Sequence, residues 1–163
     1  PEEDAMEKLG QVLWQERELL DTLHYRLEVE QLVLASGRSH HLMRAARDVD
    51  AVLTTLRETE VLRAVAADAA AEELGLAPSP SLRELAEASP EPWRTILDEH
   101  RQAFSRVTEQ ISAMADTNHE LLTQGYRSAR EALASLGEPA TESYRPDGRV
   151  VTAAARRLLD QSL

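Results

Sequence analysis

The chain has 163 residues, enough for one domain with a sizeable core. Its formal net charge is -11, with a pI near 4.9, which argues against nucleic acid and anionic membranes as partners because phosphate binding needs a basic surface. There are no cysteines, so disulfides and thiolate metal sites are excluded, and no apolar run approaches the roughly 20 residues of a membrane span.

Hydrophobic residues make up 42% and charged residues 29%, while aromatics reach only 4%. Ala, Leu, Glu and Arg dominate and β-branched residues are scarce, a composition of helix formers. The start, Pro1-Glu2-Glu3-Asp4, is acidic and unlike a signal peptide, so a cytoplasmic location is expected.

The first predicted helix runs from Glu3 to Ser36. Leu13, Leu20, Leu27 and Leu34 recur at seven-residue spacing, with Leu9 and Leu23 on the alternate steps. A stripe of period 3.5 is the seam of one long helix packed on another. Gly37 follows as a C-cap, and Gly75 and Gly137 close the next two long stretches in the same way.

Ser39 is the expected N-cap of a second helix running to Leu74. Its apolar stripe reads Leu42, Ala46, Val49, Leu53, Leu56, Leu62, Val65 and Ala69. The Gly37-Arg38 connection is short enough to force an antiparallel hairpin. A short third helix starts at Ser81, where Ser81 and Glu84 fit a capping box. Pro92 suits the first position of a fourth helix reaching Leu136 through Leu97, Phe104, Val107, Ile111, Met114 and Leu121. That helix is longer than the hairpin it packs on, so its C-terminal end should overhang.

The fold class that follows is all-α: an elongated antiparallel helical bundle with a long N-terminal coiled-coil hairpin, a long third major helix and short accessory helices. Residues 1–137 form the bundle. Residues 138–163 form a tail expected to be mobile, with Pro139, Pro146 and a Pro-Asp-Gly turn, then a short amphipathic helix through Val151, Ala154, Leu158 and Leu159.

Two seam positions are acidic, Glu16 and Glu30. In a hairpin turning near Gly37, Glu16 faces Thr59 and Glu60 with Arg63 one turn away, so a buried Glu16–Arg63 contact fixing register is favoured over a polar notch for a partner. Asn118 on the fourth seam is read evenly as a register residue or as a contact to a partner helix. Asp21-x-x-His24 and Asp116-x-x-His119 resemble half of a di-metal bundle site but sit off the seam, and solvated pairs are the simpler account. The same holds for His40-His41 at the hairpin tip. Trp14 and Trp93 flank seams and are expected to cap the core. No triad, phosphate loop or nucleotide fingerprint is readable, so neither catalysis nor a cofactor is expected.

Asn118-His119-Glu120-Leu121-Leu122, followed by Tyr144-Arg145-Pro146-Asp147-Gly148-Arg149, resembles the FlgN family of flagellar export chaperones. The front half agrees in its leucine-rich acidic hairpin, as in Leu13-Trp14-Gln15-Glu16-Arg17-Glu18-Leu19-Leu20, in the glycine at its tip, and in Ser81-Leu82-Arg83-Glu84-Leu85 as a linker helix. The resemblance implies a cytoplasmic chaperone that binds helical termini of hook–filament junction proteins (FlgK/FlgL-like), prevents their premature assembly and delivers them to the type III export gate. It further implies client binding through Asn118, Leu121, Leu122 and the helix beyond them, which carries Tyr126, Ala129, Leu133 and Leu136. Docking to the gate component FlhA is implied for the segment of Tyr144 and Gly148. The alternative is a non-enzymatic coiled-coil adaptor or scaffold, and the overhang is compatible with a homodimer.

Overall fold

A computed structural model describes residues 4–137 of the chain. The tail, with Tyr144, Gly148 and the expected helix of residues 150–163, lies outside the described residues.

The first helix, α1, spans Ala5–Ser36. Asp4 caps it, its side chain accepting from the Met6 backbone N–H at 3.3 Å. Gly37 ends it in the left-handed conformation at φ 69°, a position where any side chain is strained. Ser39 does not cap the next helix directly. Residues Ser39–His41 form a 3-10 turn, and α2 follows as Leu42–Glu73. The short α3, Leu82–Ala88, carries both arms of the capping box: Ser81 Oγ accepts from the Glu84 N–H at 3.1 Å, and Glu84 Oε2 accepts from the Ser81 N–H at 3.2 Å. The last helix, α4, spans Trp93–Ser135.

The described residues are all-α, with α1 at the centre. It packs antiparallel on α2 and parallel to α4, while α3 packs on the start of α4. Successive contacts fix the parallel pairing: Trp93 lies over Gly10, His100 meets Arg17, and Asn118 meets Leu27 and Glu30. The leucine ladder forms the core, with Leu9, Leu13, Leu20, Leu23 and Leu27 fully enclosed. Opposite them stand Val49, Leu53 and Leu56 from α2 and Leu97, Phe104 and Ile111 from α4. Leu34, at the end of α1, is only half-buried.

The second half of α2 departs from the expected stripe. Leu62 and Val65 are 55% and 66% exposed, and Ala69 is exposed too. The buried positions after Leu56 are Thr59, Arg63, Ala67 and Ala70. These keep the steps of three and four that a seam requires. Position in the helix therefore decides burial here, and the larger side chains of Leu62 and Val65 point outward.

Candidate functional site

Polar side chains tie α1 to its neighbours at separate heights. Near the lower end, Glu16 on α1 is buried and Arg63 on α2 donates through Nη1 to both of its carboxylate oxygens at 3.1 Å. Burial pushes the Glu16 carboxyl above its ordinary range, and the Arg63 guanidinium opposes that rise. The same guanidinium sits 5.2 Å over the Phe104 ring of α4, so Arg63 joins three helices.

Beside it, His100 of α4 is buried against the edge of Trp14, with ring centroids 5.0 Å apart, and stacked toward Phe104 at 6.3 Å. Its Nδ1 lies 3.4 Å from Arg17 Nη1, which makes that ring nitrogen the acceptor. Burial, then the nearby Arg17 and Arg63 charges, lower its pKa to about 4, so the ring is neutral near pH 7. Arg17 also covers the Trp14 ring at 4.3 Å. Trp14 thus closes the edge of the core while remaining largely exposed, and Trp93 packs half-buried over Gly10.

Sequence reasoning passed over His100. The signal was present: it falls three residues after Leu97 and four before Phe104, on the seam itself.

Toward the other end, Asn118 is buried on α4. Its Nδ2 donates to the Leu27 carbonyl at 2.8 Å and to Glu30 Oε1 at 3.1 Å. Burial raises the Glu30 carboxyl pKa, the Asn118 bond opposes this, and Asp50 adds to the rise. Asn118 therefore directs its amide inward to α1, as a register residue does. Its Oδ1 is buried without a hydrogen-bond partner among the described residues.

Above Asn118 the bundle changes. Glu30 lies six residues before the end of α1, whereas Asn118 lies seventeen before the end of α4. About eleven residues of α4, roughly 16 Å, therefore project past the hairpin. The α4 seam does not stop there. Leu122, Ala129, Leu133 and Leu136 continue the line of Ile111, Ala115 and Asn118 in helical steps. Leu121, Leu122, Tyr126 and Leu133 are half-buried, and Ala129 and Leu136 are exposed. The Arg130 guanidinium lies 6.0 Å from the Tyr126 ring. The structure thus places Leu121 and Leu122, with Asn118 below them, beside the last turns of α1, and Tyr126, Ala129, Leu133 and Leu136 on the part of α4 that projects past them.

The Asp-x-x-His pairs do not converge. Asp21 and Asp116 are exposed, and no group of three or more potential metal ligands occurs among the described residues. No helix among those residues is long and apolar enough to cross a membrane.

These features define the class: an all-α helical-bundle protein whose longest helix carries its apolar seam beyond the helices that cover it. The FlgN protein family model matches residues 6–152, nearly the whole chain, and the chain belongs to the FlgN family. This is a family of chaperones, and export chaperoning in flagellar assembly is the general function that membership gives the chain. No curated protein and no solved structure matches the chain.

Proposed function

We propose that this chain is a cytoplasmic chaperone for hook–filament junction proteins (FlgK/FlgL-like), holding their helical termini until they reach the type III export gate. The observation that carries this reading is the projecting seam of α4. Ala129, Leu133 and Leu136 carry the core line of Asn118 and Leu122 past the end of α1, where no second helix of the described residues covers it. An amphipathic helix laid along that line takes the place α1 holds lower down, a helix-in-groove mode. Tyr126 flanks the line, and Leu121 and Asn118 lie below it, beside the last turns of α1.

Delivery is assigned to the segment of Tyr144 and Gly148, docking on the gate component FlhA. Release then comes by handover between partners. The acidic surface keeps the loaded complex dispersed and disfavours wrong partners.

The test is calorimetric titration of the full chain with the C-terminal helical segment of the junction protein from its own genome. Saturable binding at micromolar or tighter affinity is expected. Leu133→Asp or Ala129→Asp should abolish it while shifting folding stability by no more than about 0.5 kcal/mol, because both side chains lie outside the packed core. No heat with either the segment or the full-length junction protein would sink the reading in favour of an adaptor, and a stable dimer blocked by the same substitutions would place a second copy on the seam instead.

A further inference from the structure

Acidic residues are unevenly spread along the chain. Between Glu30 and Asp48 there is neither Asp nor Glu, and the same stretch carries Arg38, His40, His41, Arg44 and Arg47. Folding gathers these residues at the hairpin tip, formed by the turn after α1, the 3-10 turn and the start of α2, where all five are exposed.

No carboxylate among the described residues pairs with them. Asp48, the nearest acid in sequence, faces Arg26 across the hairpin at 3.7 Å. Arg47 donates to the Met43 carbonyl, and the His40 and His41 rings pack on each other with centroids 4.0 Å apart. Leu32 and Met43, 65% and 54% exposed, add apolar surface to the same tip. A chain of net charge -11 thus carries a cationic tip that meets no carboxylate among the described residues.

The tip also stands at the foot of the overhang. Asn118 sets α4 level with Leu27 and Glu30, so α4 passes the tip and continues about 16 Å beyond it. A helix lying on the projecting seam in line with α1 has one end at the turn that closes α1, which carries Arg38, with Arg44 in the first turn of α2 that follows.

We propose that the hairpin tip receives the C-terminal, carboxylate-bearing end of a partner amphipathic helix whose apolar face lies on the α4 overhang. This rests on the overhang being the client seat and adds the direction and charge of what sits there. A helix C-terminus carries a partial negative charge from its free carbonyls, to which last-turn carboxylates and a chain terminus add. A cationic tip attracts that end and disfavours the N-terminal end, which carries the opposite partial charge. The partner therefore runs antiparallel to α4. Arg127 and Arg130 stand midway along the overhang, and the tip is the cationic cluster at the end of the seat nearest the hairpin.

The test titrates the full chain and its Arg38→Glu/Arg44→Glu variant with the junction protein's C-terminal helical peptide. The peptide is used in its native form and in a form with last-turn carboxylates replaced by amides and an amidated terminus. Circular dichroism checks that the variant folds. Expected are roughly tenfold weaker binding of the native peptide to the variant at low salt and a gap that closes as salt rises. The neutralised peptide should bind wild type weakly and gain nothing from it over the variant. Equal binding of native peptide by variant and wild type overturns the tip proposal and leaves the overhang reading standing. Tighter binding by the variant also overturns it. Native-peptide binding that survives Ala129→Asp overturns the seat itself. Absence of binding by wild type, with the full-length junction protein as well, sinks both readings.

Discussion

Arg63 reaches Glu16 through one guanidinium nitrogen, Nη1, held 3.1 Å from both carboxylate oxygens. The Glu16 side chain has no exposure and that of Arg63 only 10%. A pair so enclosed costs much to desolvate and more to break. Arg63→Met should destabilise the bundle by about 3–5 kcal/mol, because Glu16 is left charged and enclosed. Glu16→Leu combined with Arg63→Met should recover most of that loss. Urea unfolding of both variants, monitored by circular dichroism, reads the difference. A double variant no more stable than Arg63→Met would show that the pair is needed for more than its mutual neutralisation.

His100 gives the fold an acid limit. Its folded pKa of about 4 lies below its ordinary value of 6.5, so between these values the unfolded chain holds a proton that the native ring refuses. Stability then rises with pH through that window and falls on acidification, by up to about 3 kcal/mol near pH 4. Glu16 and Glu30 work in the opposite sense, since their raised folded pKa values favour proton uptake by the native state. Comparison with His100→Phe isolates the histidine contribution. Thermal unfolding between pH 4 and 7 should show a steeper decline for wild type than for the variant, and parallel curves would count against the assignment.

Asn118 supplies two donor bonds to α1, one to a carbonyl and one to the Glu30 carboxylate. Asn118→Ala should cost about 1–3 kcal/mol, the usual consequence of stranding buried acceptors. Asn118→Asp should be worse at neutral pH, since it sets a second carboxylate against Glu30, and should recover as the pH falls and the two share a proton. The measurement is stability against pH for the three proteins. An Asn118→Asp protein as stable as wild type at pH 7 would mean that the helices separate at this height without cost.

Much of this architecture is legible in the order of the amino acids. The ladder Leu13, Leu20, Leu27 is visible because apolar side chains occupy most seam steps in α1, and the Glu16–Arg63 contact follows once the turn at Gly37 fixes which residues face each other. The second half of α2 misleads because its seam steps hold Thr59, Arg63, Ala67 and Ala70, while Leu62 and Val65 beside them are more hydrophobic. His100 hides for the same reason, being a polar residue on an apolar line. The overhang could be anticipated from helix lengths, but its extent depends on the offset between α1 and α4, which the contacts of Trp93 with Gly10, His100 with Arg17 and Asn118 with Leu27 and Glu30 show.

That offset makes the bonds of Asn118 a ruler. Apolar seams by themselves tolerate slippage by a turn, since each leucine finds an equivalent hole one step along. A slip of α4 by one turn would lengthen or shorten the uncovered seam by about 5.4 Å and carry the amide away from both of its acceptors. The span of surface offered to a partner thus depends on a polar side chain that lies under the covered part of the seam.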